Sequence, residues 1–186
     1  MIQARLLVLL LALLGGGAAA QSTPDAPPPG LEPLSAFAST VLQIKTQRGN
    51  VHQFSVWIAD RPSRQEQGLM FVRHLPDHQG MVFIYPRDRT IAMWMKNTLI
   101  PLDMLFIRAD GSISYIAADA TPQSLSIIAG PEPVRAVLEL AGGSARELGI
   151  APGDRVFCDA LPASLPHPSP TPRRHPRESV AEKPHS

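Results

Sequence analysis

Short apolar runs alternate with turn-forming clusters along the middle of this chain. Val41 to Thr46 reads as a strand, and Gln53 to Ala59 alternates so that Phe54, Val56 and Ile58 share one face. Gly49-Asn50 between them predicts a hairpin turn. A short helix is expected next. Asp60 is placed to cap it, Pro62 suits its first turn, Ser63-x-x-Glu66 resembles a capping box one turn late, and Gly68 ends it. Met81 to Tyr85 reads as a strand apolar on both faces and stopped by Pro86. Thr90 to Lys96 and Asp103 to Arg108 are two more strands, and Asp110-Gly111 turns the second tightly into Ser112 to Ala117. Val134 to Leu140 puts Val134, Ala136, Leu138 and Leu140 on one side. Gly142 to Leu148 reads as a helical turn closed by Gly149, and Pro152-Gly153-Asp154 leads into a last strand, Arg155 to Asp159. About seven strands with two short helices predict a mostly β (α+β) fold, a compact β-barrel or sandwich.

The two ends have a different composition. Leu6 to Leu14 is an apolar run preceded by Arg5 and broken by Gly15-Gly16-Gly17, and Ala18-Ala19-Ala20 fits a small-residue cleavage rule. The run is short of the roughly 20 residues that span a bilayer. Residues 1–20 are therefore expected to be a signal peptide, with an uncleaved anchor as the alternative. The protein is expected to be exported, periplasmic or secreted, with no stable membrane span after cleavage. Residues 21–38 carry Pro24, Pro27, Pro28, Pro29 and Pro33 and read as a Pro-rich linker. Residues 39–160 form a single globular β-rich domain. Residues 161–186 are Pro-rich with almost no large apolar side chain, so a disordered tail is expected. The formal charge of +1 hides a split: Arg5 and the tail are basic, and the domain between them is slightly acidic. Such a domain carries no nucleic-acid footprint. The single cysteine, Cys158, has no internal disulfide partner and reads as a small buried hydrophobe within Val156-Phe157-Cys158.

Candidate chemistry concentrates between Gly80 and Ile107. There, apolar runs enclose Lys96-Asn97-Thr98 and then a lone carboxylate, Asp103. Polar groups in such surroundings need partners. Asp103 shares a strand face with Leu105 and Ile107, and Glu139 shares one with Val137 and Arg135. One reading is a pocket in which Lys96, Asn97, Thr98, Asp103, Glu139 and Arg73 bind a small polar ligand or a partner chain, without a cofactor, in a monomeric protein. A second is structural: Asp103 pairs with Arg73 or Lys96, and Glu139 accepts backbone N–H groups from the Gly142-Gly143 turn. A third makes Asp103 and Glu139 the acid–base pair of a hydrolase-like enzyme. A fourth starts from Met70, Met81, Met93, Met95 and Met104, whose thioethers would suit Cu(I) handling in an exported protein, or simply fill an irregular core. His74 and His78 straddle Pro76 and read as a solvated loop rather than a zinc site. The chain has no G-x-S-x-G elbow, P-loop, dinucleotide fingerprint or H-E-x-x-H.

The order of these pieces resembles a known family. Gly68-Leu69-Met70, Gly80-Met81, Trp94 to Thr98 (WMKNT), Pro101 to Asp103 (PLD), Leu138-Glu139 and Gly153-Asp154 together resemble the prokaryotic domain of unknown function 192. The resemblance covers about Val41 to Asp159. It implies a small β-rich domain and assigns no activity and no catalytic residue.

The signal-peptide reading is checked by intact mass. Protein taken from its native cell should begin at Gln21 or within a few residues of it, and a chain beginning at residue 1 or 2 would refute cleavage.

Overall fold

The computed structural model describes residues 27–161. The expected signal peptide, the first part of the expected linker and the tail from residue 162 onward lie outside the described residues.

Nine strands and two short α-helices follow one another in the order β1 (Ser39–Lys45), β2 (Val51–Ala59), α1 (Pro62–Gln67), β3 (Gln79–Arg89), β4 (Ala92–Met93), β5 (Leu102–Ile107), β6 (Ile113–Ala120), β7 (Ile128–Ala129), β8 (Val134–Ala141), α2 (Ser144–Leu148) and β9 (Arg155–Cys158). Seven strands form one curled sheet, ordered β6-β5-β8-β3-β2-β1-β9, and β4 pairs with β7 in a separate ribbon. The two edges of the curled sheet meet at one end. Ser112 bridges Arg155, Ile113 N–H donates to the Asp154 carbonyl at 2.8 Å, and Val156 N–H donates to the Gly111 carbonyl at 2.8 Å. The sheet is thus a half-barrel pinched shut at that end, and the expected mostly β class with two short helices describes it.

The concave and convex faces are both buried, because β5 and β8 lie in mid-sheet with apolar residues on both sides. Inside the curl, Leu42, Ile44, Phe54, Val56, Val82, Leu105, Ile107, Leu138 and Leu140 pack together with Ala145 and Ile150 around α2. Outside it, Met81, Phe83, Leu102, Met104, Phe106 and Val137 are covered by Leu69, Leu75, Ile91 and Met95 from the long connections and by Met93 of β4. Cys158 is buried in the inner cluster, and burial raises its thiol pKa.

Several local expectations shift. β3 does not stop at Pro86. It runs to Arg89 through an irregularity between Ile84 and Arg89, where proline costs no ladder bond. The 90–96 strand shrinks to Ala92–Met93. β2 and β3 pair in parallel, Ser55 opposite Gln79 and Ala59 opposite Phe83, so α1 and the loop after it form a crossover rather than a hairpin excursion. The first residue of α1 is Pro62, and its N-cap position is Arg61 rather than Asp60.

Part of the expected linker is packed. Glu32 is clamped by the Gln67 side chain, which accepts from Glu32 N–H at 2.8 Å and donates to the Glu32 carbonyl at 2.7 Å. Phe37 is buried beneath Arg64. Leu161, expected as the first residue of the tail, packs into the inner cluster. In both cases a large apolar side chain at the boundary finds a groove on the domain that composition alone cannot reveal.

Candidate functional site

Asp103 and Glu139 lie on neighbouring strands and point to opposite faces of the same sheet. The β5–β8 register sets Asp103 opposite Leu140 and Met104 opposite Glu139. Cross-strand partners share a face and successive residues alternate, so Asp103 enters the concave core and Glu139 the convex side. No substrate can touch both. The paired-carboxylate hydrolase reading fails on this geometry.

Asp103 is fully buried and fully partnered. One oxygen accepts N–H bonds from Asp119 at 2.8 Å and Gly143 at 3.1 Å, and the other accepts Ala145 N–H at 2.8 Å. Its job is to hold the start of α2, whose N-cap is Gly143 with no side-chain cap of its own, and to tie in the irregular edge of β6. It pairs with neither Arg73 nor Lys96, and it takes the Gly142-Gly143 turn contacts expected for Glu139. The pocket and ion-pair readings of Asp103 are both corrected to a helix pin.

Glu139 has the opposite fate. It sits in the middle of β8, with Met81 on β3 and Met104 on β5 directly opposite it on the same face. Phe83 and the backbone of Gly68 lie close by, a Cβ at Gly68 meeting Phe83 at 3.2 Å and the Glu139 carboxyl at 3.9 Å. Its Oε2 is buried with no hydrogen-bond partner. Burial among these apolar groups pushes its pKa up to about 8, so the folded protein holds it as a neutral acid near pH 7.

A cavity of about 320 Å³ opens over Glu139. One wall is the last turn of α1 and the residues just after it, Gln65 to Met70. Another is the end of β3, with Phe83, Tyr85 and Arg89. The third is the segment from Ile91 through Trp94 to Lys96 and Thr98. Two cations stand on aromatic rings at this site. Lys96 Nζ lies 4.9 Å above the Trp94 ring, and Arg89 Cζ lies 5.5 Å from the Tyr85 ring centre. Tyr85 itself is pushed above its ordinary range, chiefly by burial, against the lowering influence of Arg89 and with a further raising contribution from Glu139.

The sequence-derived candidates therefore divide. Glu139, Lys96 and Thr98 come together at the cavity. Asn97 is exposed and adopts a left-handed backbone conformation, φ 57°, which asparagine tolerates well. Its carbonyl accepts Phe71 N–H at 2.9 Å, which fixes the loop after α1. Arg73 lines a separate cavity of about 630 Å³ with Phe71, His74 and the Pro27 to Ser35 segment, away from Glu139. Of the methionines, Met81, Met93, Met95 and Met104 are buried in the convex core, and Met70 and Met93 reach the cavity wall. Two cations at this wall oppose a bound metal cation. Among the described residues no group of three or more His, Cys, Asp or Glu is placed to hold a metal, and no helix is long and apolar enough to cross a membrane. Tyr85 and Arg89 carry no signal in the sequence, and Gly68 and Trp94 stand out there only as a helix end and as parts of the family pattern. Arg89 and Tyr85 flank Pro86, which read as a strand end, and nothing in their spacing signals convergence.

Two variants separate the carboxyls. Asp103→Asn sets an amide NH2 against backbone donors and should destabilise the fold by about 3 kcal/mol in chemical denaturation. Glu139→Gln should do the reverse. Glu139 titrates near 4.5 ordinarily and near 8 when folded. Below the lower value both states are neutral and its stability contribution is intact. Between the two, the unfolded chain ionises first, and stability falls by about 1.4 kcal/mol per pH unit. The glutamine variant escapes this loss. It should gain on the native protein by about 3 kcal/mol at neutral pH and match it near pH 4.5. An equal pH dependence in both proteins would refute a neutral Glu139.

Comparison with known proteins agrees with the fold. The pattern of the DUF192 family, described as "Uncharacterized ACR", matches residues 43–158, more than half of the chain. No curated protein matches. Among solved structures, a proposed transcription regulator from Sinorhizobium meliloti 1021 is 44% identical, with a TM-score of 0.65, over 66% of this chain and 95% of that one. A protein of unknown function from Novosphingobium aromaticivorans DSM 12444 is 36% identical, also with a TM-score of 0.65, over 72% of this chain and 94% of that one. By the match of that pattern over residues 43–158, the chain belongs to the uncharacterised DUF192 family.

Proposed function

We propose that this domain is a binding module that takes a small polar ligand into the cavity over Glu139. The observation that carries the reading is the buried, unpartnered Glu139 Oε2. Among the described residues only His52 Nε2, Ser114 Oγ and Glu139 Oε2 are buried without a partner, and of these only Glu139 lines either of the two cavities. A buried polar group left unsatisfied costs about 1–3 kcal/mol. A fold that satisfies Asp103 with three N–H groups and Asp154 with two leaves this carboxyl free for something else. The cavity volume lies at the small end of the range for small-molecule sites.

The cavity's other carboxylate, Glu66, is exposed on α1 rather than buried beside Glu139, so the reading is binding rather than acid–base hydrolysis. The regulator description belongs to the Sinorhizobium protein. Here Arg61, Arg64, Arg108, Arg135, Arg146 and Arg155 lie within ion-pair reach of carboxylates, so these six arginines do not form a free phosphate-tracking face. The N-terminal apolar run supports an exported setting for this ligand binding.

A thermal-shift screen of sugars, amino acids, nucleotides and small organic acids tests the reading. It compares the native protein with Ala92→Trp, which places an indole at the cavity wall from an exposed position. A ligand at 100 times its dissociation constant should stabilise the native protein by about 2.7 kcal/mol and leave the variant unmoved. No hit, or hits that the variant shares, would remove the site.

A further inference from the structure

We propose that the ligand of this cavity is a small oxyanion carrying a second hydrogen-bond acceptor, its charge met by Arg89 and Lys96 and its acceptor hydrogen-bonded by Glu139. This rests on the binding reading above and goes beyond it by naming the ligand's chemistry.

The charges around the cavity point this way. Arg89 comes from the end of β3 and Lys96 from the segment after β4, so two independent stretches of chain each deliver one cation to the same opening. Neither cation makes an ion pair among the described residues. Each is laid over an aromatic ring instead, Tyr85 or Trp94, which limits its freedom without neutralising it. The charged and titratable groups facing the cavity are Glu139 from β8, Tyr85 and Arg89 from β3, Glu66 from α1 and Lys96. Glu66 is exposed, and it is the one acid there besides Glu139. With Glu139 neutral, two cations face one carboxylate and the cavity favours an anion.

Glu139 then acts as a donor. A neutral carboxylic acid offers an O–H, and an apolar setting that keeps it neutral lets it hydrogen-bond an acceptor without repelling a negative ligand. A cationic or purely apolar ligand would leave both cations unmatched. A ligand with charge at one end and a carbonyl or second oxyanion oxygen at the other satisfies all three side chains. Above about pH 8 Glu139 ionises, the donor is lost and a negative charge appears at the site. Anion binding should weaken there for both reasons.

Calorimetric titration with levulinate, pyruvate and inorganic phosphate tests the inference, with methyl levulinate as the uncharged control. At least one of the three anions should bind, and the ester should bind at least about tenfold more weakly than levulinate if levulinate is the hit. Affinity for levulinate or pyruvate, whose charge is fixed over this range, should be level up to about pH 8 and then fall by about tenfold per pH unit in the native protein, while Glu139→Gln, which keeps an N–H donor, should show no such fall. Arg89→Met and Lys96→Met should each weaken the anion at least about tenfold with little change in melting temperature. The inference is overturned if none of the three anions binds, if the ester binds as well as the acid, if either cation is dispensable, or if the pH profile is flat. A neutral compound that binds and is blocked by Ala92→Trp would overturn the anion class and leave the binding reading intact. Absence of any cavity ligand in either experiment would overturn both.

Discussion

The structure depends on burying both faces of β5 and β8. These strands lie inside the curled sheet, away from its edges, with an apolar cluster above and another below. A polar side chain on either strand has no water to fall back on, so it must find protein partners or leave a deficit. Leu102–Ile107 is buried at every position, and so is most of Val134–Ala141. Two carboxyls sit in this pair of strands, and the constraint treats them differently.

Asp103 is resolved by the backbone. The chain after β8 turns at Gly142-Gly143 and starts α2 so that the N–H groups of Gly143 and Ala145 join that of Asp119 from β6 on one carboxylate. Close packing is part of that arrangement: a Cβ at Gly142 would meet Pro101 at 2.8 Å and Asp119 at 2.9 Å. The charge lies in the interior because unsatisfied helix-start donors need an acceptor, and the acceptor and donors stabilise each other. Glu139 has no such donors. Flanked by Met81 and Met104 and overlain by Phe83 and Gly68, it is kept neutral by desolvation alone. A carboxyl held this way lowers stability at neutral pH, which is the usual mark of a group retained for what it contacts rather than for what it holds together.

The convex cover gives that group its access. The connections after α1, after β3 and between β4 and β5 pack apolar residues onto the sheet, yet they leave a gap above Glu139 that is lined by Tyr85 and Arg89 of β3 and by Trp94 and Lys96 of the connection after β4. Their placement comes from hydrogen bonds between loops, such as Phe71 N–H to Asn97 carbonyl, Met95 N–H to Ser124 carbonyl and Gln123 N–H to Thr98 carbonyl. Asn97 therefore matters to the site through its backbone carbonyl and through its side-chain amide, which donates to Met70 Sδ at 3.7 Å on the cavity wall, while the neighbouring Lys96 supplies charge.

The chain's own order of residues determined the strand content, the Asp110-Gly111 turn, the two short helices, the family pattern and the suspicion attached to Lys96, Thr98 and Glu139. These are local matters, read from alternation, turn chemistry and isolated polar groups in apolar runs. Tertiary structure decided the rest. Whether Asp103 and Glu139 face each other depends on the register between β5 and β8, and a shift of one residue would reverse the answer, so neither strand contains it alone. The parallel pairing of β2 with β3, the run of β3 past Pro86 and the arrival of Arg89 beside Tyr85 likewise follow from contacts between distant segments. Only the assembled packing sets which buried carboxyl receives N–H groups and which receives methionines, because partners for a buried group come from neighbours in space and not from neighbours along the chain.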